Sequence, residues 1–379
     1  MVLARHELLH RRLAGVDLFA VGHDVVGTPR QAAASLCRSL EDFEGEEDVY
    51  AKRRGRFETA FRSTVDGSGQ LYVLHVPSSY DPAKKYGLRI FLGAYSRRDH
   101  FRPDESPDCI DATLWPRTNN SWRGLTELTF REALRDITRH YNIDPDRVCI
   151  GGASKHGAGA WRLASRYPHL FAGAMPLFGY TDCYLENLGN VPTWSYHDST
   201  DPVVPVDGTR AVVNKLRSKG CPIIHAETAG GGHGATRIDP AWGMGGWFQT
   251  LRRNPFPSAV DYTTLTPDVG RSYWVEILEF SDPNQPARSR ARLLGSERSN
   301  ELVLALDNID VLAIDLPPGL FNREKDLSIA VEGSPLILAG PLPERIYLHR
   351  TAESGYGLSR VDPRPAKPGR PYVAGGLNS

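Results

Sequence analysis

The chain lacks a surplus of either charge: its 379 residues carry 45 Lys and Arg against 45 Asp and Glu, a formal net charge of +0. A protein that grips a nucleic-acid backbone carries a basic excess or a basic stripe, so no nucleic acid is expected as a partner. Cysteine is scarce and scattered, at Cys37, Cys109, Cys149, Cys183 and Cys221, with no CxxC pair. Such a set argues against a disulfide framework and against a cysteine zinc site, leaving buried thiols that act as small hydrophobes. No apolar run approaches the ~20 residues that cross a bilayer, so no membrane partner is expected. The first residues, MVLARHELLHRR, put charges where a signal peptide has its apolar core. The chain as it stands reads as cytoplasmic, and as secreted if a signal peptide once preceded it. Metal and phosphate motifs are missing too. There is no HExxH, and the glycine run at Gly230 to Gly232 ends in a histidine, not in the Lys-Ser or Lys-Thr pair of a phosphate loop. Neither a metal nor a cofactor is expected.

What is present is an alternation. Length alone suggests two or three units. Residues 1–55 have Leu8, Leu9, Leu13 and then Ala32, Ala33, Leu36, Leu40 at helical spacing, which predicts an N-terminal helical extension. From residue 56 to 255 the pattern predicts strands at 71–77, 88–92, 109–115, 147–150, 172–177, 193–196 and 223–227. Helices are predicted at 125–141, from Ser154 to Tyr167, at 207–219 and near 240–252. Phe130, Leu134, Ile137 and Tyr141 share one face of the first helix, and Asp144-Pro145-Asp146 after it is a turn signal. Strands alternating with such helices predict a mostly parallel sheet with helices on both faces, whose ligands sit at the carboxyl ends of the strands. From 256 to 350 the helices stop, and strands at 273–280, 289–294, 301–306, 311–316, 327–331 and 345–349 predict a small all-β sandwich. Residues 351–379, rich in Pro and Gly, read as a tail.

The segment that carries chemistry is RVCIGGASKHGAGAW, residues 147–161. It sets Ser154 between an apolar strand and a helix of small residues. A sharp strand-to-helix turn there exposes the hydroxyl and aims the helix N-terminus at it, where backbone N–H groups can stabilise an anion. A serine is a weak nucleophile on its own and needs a base and an orienting acid. Asp201 follows the strand at 193–196, in HDSTDPVVP, and His233 follows the strand at 223–227, in GGGHG. Ser154, Asp201 and His233 are therefore the candidate nucleophile, acid and base. Asp198 and Asp207 compete with Asp201; Asp207 reads as the N-cap of the next helix. His225, mid-strand, and His197, at a strand end, read as packing and hydrogen-bonding residues.

The run IGGASKHG (150–157), followed by ASRYPHLFAGA (164–174), resembles the nucleophile elbow and following helix of prolyl-oligopeptidase-related esterases in the α/β-hydrolase superfamily. Feruloyl esterases and polyhydroxybutyrate-depolymerase-like enzymes belong to that neighbourhood, and the resemblance covers roughly residues 57–255. It implies an α/β-hydrolase fold and ester hydrolysis through an acyl-enzyme. It also implies an oxyanion hole built from the Lys155 N–H and a donor among Gly93, Ala94 and Tyr95. Two departures mark the chain: His156 replaces the usual glycine two positions after the serine, and Gly93-Ala94 replaces the usual His-Gly. Ser-Lys-His-Gly is also similar to the Ser-Arg-Asn-Gly elbow of glucuronoyl esterases, which implies that a cation at Lys155 assists the oxyanion or meets an acidic substrate.

His156, Trp122 and Arg123 are candidate substrate contacts; the last two lie in a polar-aromatic loop after the strand at 109–115. The expected function is a serine carboxylic-ester hydrolase acting on a small or carbohydrate-linked ester, aryl or sugar in character. The rival readings are a serine peptidase of the prolyl-oligopeptidase type and a catalytically silent hydrolase-like binding protein.

Overall fold

The computed structural model describes residues 52–93, 106–117, 120–234, 244–295, 299–352 and 355–365. The predicted N-terminal helical extension lies almost wholly outside the described residues, and Gly55 already begins the first strand.

Eight strands form one sheet: β1 (Gly55–Arg62), β2 (Gly69–Val76), β3 (Tyr86–Leu92), β4 (Cys109–Leu114), β5 (Ile143–Ala153), β6 (Gly173–Leu177), β7 (Thr193–Asp198) and β8 (Ile223–Thr228). Their order is β1-β2-β4-β3-β5-β6-β7-β8. The pairs β1–β2 and β2–β4 are antiparallel, and every pairing from β4 through β8 is parallel. Strand β1 was not anticipated, because charged residues interrupt GRFETAFR; a full-length antiparallel register with β2 holds it in place. The turn expected at Asp144–Asp146 is instead absorbed into β5. From Tyr86 to Leu88 on β3, the register partners jump from Ile143 to Val148 on β5, so the turn residues bulge out of the ladder.

Among the described residues four α-helices accompany this sheet: α1 (Leu125–His140), α2 (Lys155–Arg166), α3 (Val206–Ser218) and α4 (Met244–Thr250). In α1 the anticipated stripe of Phe130, Leu134 and Ile137 is buried, with Tyr141 just beyond its end. Each such side chain contributes about 1.5–3 kcal/mol on burial. The stripe packs into one core with Leu88, Ile90 and Ile150 of the sheet and Trp161 and Leu163 of α2. The opposite sheet face, through Met175, Leu177, Trp194 and Tyr196, meets Trp247 and Phe248 of α4. Helices thus cover both faces, and none among the described residues is long and apolar enough to cross a membrane. In the middle of the sheet the register neighbours Arg89 and Asp111 form a buried pair with bonds of 2.6 and 2.7 Å. Burial pushes the Asp111 carboxyl upward, against the pull of that guanidinium.

Beyond residue 256 the described residues form strands and one short 3-10 turn, Pro267–Val269, with no α-helix among them. Two five-stranded sheets enclose a second core: in spatial order, β10 (Arg271–Ser272), β11 (Val275–Glu279), β14 (Val311–Asp315), β17 (Arg345–Arg350) and β18 (Tyr356–Ser359) form one, and β16 (Ser334–Leu338), β15 (Leu327–Val331), β13 (Glu301–Asp307), β12 (Ala287–Leu294) and β9 (Ala259–Thr264) the other. They run from β9 (Ala259–Thr264) at one edge to β18 (Tyr356–Ser359) at another. Strand β18 pairs with β17 (Arg345–Arg350), so the stretch expected as a tail from 351 begins with a strand. One pairing, β13 (Glu301–Asp307) with β15 (Leu327–Val331), is parallel.

Polar contacts stitch the two cores together. Asn187 donates to the carbonyls of Ser165 (2.8 Å) and Thr263 (2.9 Å) and accepts the Thr263 N–H at 2.8 Å. The Tyr262 hydroxyl reaches the Arg166 carbonyl at 2.8 Å, and the Tyr273 hydroxyl that of Pro168 at 3.1 Å. Cys109, Cys149 and Cys221 are buried free thiols and Cys183 a half-buried one; Cys37 lies outside the described residues.

Candidate active site

The turn between β5 and α2 is as tight as the small residues around Ser154 imply. Ser154 itself has φ 58, a left-handed conformation that costs a non-glycine residue about 1–3 kcal/mol. Its N–H is tied to the Leu177 carbonyl at 2.9 Å and its own carbonyl accepts from Ala158 at 3.0 Å, so neighbouring structure enforces the strain. A Cβ on Gly152 would lie 2.4 Å from the His156 carbonyl oxygen, and one on Gly157 2.4 Å from that of Leu177. These two glycines let the helix rise directly from the strand. Gly179 is equally constrained, since a Cβ there would stand 2.2 Å from the Ser154 carbonyl oxygen.

Ser154, His233 and Asp201 come together in one hydrogen-bonded chain. His233 Nε2 is 2.8 Å from Ser154 Oγ, and His233 Nδ1 is 2.7 Å from Asp201 Oδ2. An ionised carboxylate can only accept, so Nδ1 carries the proton and Nε2 offers its lone pair to the Ser154 hydroxyl. The ring of Phe178 meets His233 edge-on at 5.2 Å, walling its flank. Gly230 (φ 82) and Gly232 (φ 66) give the histidine loop turns that side chains resist, which accounts for the glycine run.

The acid is firmly held. Asp201 Oδ1 accepts the N–H groups of Val203 (2.8 Å) and Val204 (2.9 Å). Burial pushes its carboxyl upward, but the bonds from Val204, His233 and Val203 outweigh that and hold it below the usual range. Asp198, the neighbour that competed with it, does a different job. It accepts from Thr200, Thr228 and the Gly231 N–H, fastening the acid loop to the histidine loop. Those bonds overcome the burial cost and keep its carboxyl well below the ordinary value. Asp207 is not the cap of α3: Pro205 holds that position, and Asp207 pairs with Arg210 at 2.8 Å on the exposed first turn.

The other expected residues fare differently. Lys155 opens α2 beside the hydroxyl, with an exposed side chain. Gly93 ends β3 with its N–H given to the Leu114 carbonyl at 2.9 Å, so that group is committed to the sheet and not to an oxyanion. Ala94 and Tyr95 lie outside the described residues. Trp122, expected to touch substrate, is fully buried. Ser121 and Trp122 both have positive φ (54 and 65), which turns the indole inward. It packs on Gly159, where a Cβ would lie 2.3 Å from the ring, and donates to His156 Nδ1 at 3.0 Å. His156 is itself 8% exposed. Burial chiefly, and Lys155 second, lower its pKa to about 4. Both side chains brace the turn from beneath. Arg123 is exposed; burial first, and the Arg123 charge second, lower the pKa of Arg162 on α2. Phe178 and the Asp198 bonds were missed, since neither leaves a motif in the sequence.

The sheet order, the serine at a strained turn after β5, the acid after β7 and the histidine after β8 make this the α/β-hydrolase fold. No family model matches the chain. Over 81 residues it is 32% identical to the "Putative esterase NocK" of Nocardia uniformis subsp. tsuyamanensis, which is 21% of this chain and 24% of that protein. The chain thus spans about a quarter of the length of that curated relative. A solved structure of a thermostable esterase is 26% identical over 52% of this chain and 63% of its own, with a TM-score of 0.45. A ferulic acid esterase from Anaeromyces mucronatus is 14% identical over 54% and 95%, with a TM-score of 0.43.

Proposed function

We propose that this chain is a serine carboxylic-ester hydrolase that works through an acyl-enzyme, with Ser154 as nucleophile, His233 as base and Asp201 as the orienting acid. The observation that carries the reading is the continuous path from Ser154 Oγ through His233 (2.8 Å) to Asp201 (2.7 Å). The short stretch of identity with a protein named as an esterase agrees with it.

His233 Nε2 takes the Ser154 proton as Oγ attacks the ester carbonyl, and the developing imidazolium is stabilised by Asp201. The Lys155 N–H, at the start of α2, faces the oxyanion, where the helix dipole adds to its effect. His233 then returns the proton to the leaving alcohol, and water repeats the sequence to release the acid. Catalysis resides in residues 56–255, and the β-rich part from 256 onward braces that unit. Tyr180 (41% exposed) and Val203 (64% exposed) stand on the loops after β6 and β7, at the end of the sheet where ligands bind. They give the mouth an apolar rim that suits an aryl or sugar ester.

A fluorophosphonate probe and a panel of aryl, sugar and aliphatic esters, run beside peptide substrates, test this reading. Labelling and ester turnover that both vanish in Ser154→Ala are expected. Absence of labelling in the wild-type protein would sink the proposal, and turnover of peptides in preference to esters would reassign it to a peptidase.

A further inference from the structure

The acid of the hydrogen-bonded chain has a second histidine on it. His197, at the end of β7, is fully buried, and its Nε2 lies 3.2 Å from Asp201 Oδ2, the same oxygen that takes the His233 bond. The same Nε2 is 2.9 Å from the Val204 carbonyl, and Nδ1 is 2.7 Å from the Thr209 hydroxyl. The tautomer follows from these partners. The Val204 carbonyl only accepts, so Nε2 must carry the hydrogen and donate it there, beside Asp201 Oδ2. Nδ1 of the neutral ring is then an acceptor, and the Thr209 hydroxyl donates to it. Thr209, in the first turn of α3, is also fully buried, so no water competes for that nitrogen.

Resting on the reading of Ser154, His233 and Asp201 given above, we infer that His197 is a positioning residue for the reaction. Held by Thr209 and the Val204 carbonyl, it keeps a polarised N–H 3.2 Å from Asp201 Oδ2. Asp201 itself receives three donors, two backbone N–H groups on Oδ1 and His233 on Oδ2, and His197 Nε2 stands 3.2 Å from Oδ2. The carboxylate can neither rotate nor concentrate its charge wholly on His233. The positive end of that nearby N–H reduces the pull of Oδ2 on the His233 proton. His197 therefore keeps His233 from becoming too strong a base to release its proton to the leaving group.

The other charged groups on the elements packed here have partners of their own. Asp198 is held by Thr200, Thr228 and Gly231, and Arg210 of α3 is paired with Asp207 and with Glu227 of β8, which His225 approaches at 3.7 Å. A shift in His233 titration on altering His197 or Thr209 is thus referable to Asp201.

The test compares His197→Phe, His197→Gln, Thr209→Val and Thr209→Ser in the full chain. The readouts are the pH profile of ester turnover and His233 titration by NMR, with folding checked by circular dichroism. Losing that polar contact beside the buried carboxylate slows kcat by about tenfold. His197→Phe is expected to show that loss with KM unchanged, and an acid limb moved to higher pH as Oδ2 turns its charge to His233. His197→Gln, which keeps a donor near the Nε2 position, should recover most of both. Thr209→Val should move the limb the same way by less, and Thr209→Ser should restore it. A folded His197→Phe with wild-type kcat and an unmoved limb overturns the inference. If that variant fails to fold, an unmoved His233 titration in Thr209→Val overturns it instead. The failure of the functional reading looks different: the wild-type protein would then turn over no ester, while the NMR titration would still report on His197.

Discussion

His156 makes a sharp prediction about acid stability. Its imidazole is 8% exposed, receives the Trp122 indole N–H at Nδ1, and has no partner at Nε2. Burial, with the Lys155 charge adding to it, takes its pKa from the usual 6.5 to about 4. The folded protein therefore keeps this ring neutral over a range where the unfolded chain protonates it. The stabilising effect is complete above the unfolded value and is lost as pH falls from about 6.5 towards about 4. At about 1.4 kcal/mol per unit, the full loss is about 3 kcal/mol.

The perturbation is His156→Asn, which keeps an acceptor for the indole but cannot titrate. The smaller side chain imposes an offset at every pH, so the informative quantity is the change in that offset. Urea unfolding of both proteins at about pH 7 and about pH 4 should show the variant gaining about 3 kcal/mol on the wild type across the interval. His169, half-buried and lowered to about 3, weakens both proteins alike in acid and cancels from the difference. A pH-independent offset would refute the reasoning, because it would mean that the ring titrates normally in the folded state.

Two further changes test the framework. Gly179→Ala pushes a methyl to 2.2 Å from the Ser154 carbonyl oxygen, so the turn must shift; ester turnover should fall by at least about a hundredfold, given how steeply rate depends on ångström-scale placement. A Gly179→Ala protein with near-wild-type kcat would show that the turn tolerates movement. Arg89→Met strands the Asp111 carboxylate inside the sheet and should cost about 3–5 kcal/mol in chemical unfolding, whereas the double change with Asp111→Leu should recover most of it.

How much of this was legible in the sequence depended on whether a residue's role is local or long-range. That Ser154, Asp201 and His233 meet could be anticipated because each follows a strand, which brings all three to one end of the sheet. The stripe on α1 could be read because periodicity encodes burial. Trp122 misled because an aromatic beside polar residues looks like a surface platform. Only the positive φ values of Ser121 and Trp122, together with the space above Gly159, send it inward. Gly93 misled because its N–H could be assigned only once β3 and β4 were in register. The role of Asp198 depends on Thr228 and Gly231, some thirty residues away, and nothing local announces it. Strand β1 escaped because its partner, and not its own pattern, holds it in the sheet.

The amide of Asn187 has a consequence for how such a chain can be inherited. Strand β9 lies at the rim of its sheet, and a bare rim invites pairing with any extended peptide. Asn187 engages both the N–H and the carbonyl of Thr263, standing in for one residue of a neighbouring strand. It comes from the segment after β6, a few residues beyond the glycine that packs under Ser154. A copy of either half transferred alone would take with it an exposed amide or an open rim. The β-rich half moved alone would bare that rim, so recombination that keeps it covered moves both halves as a single block.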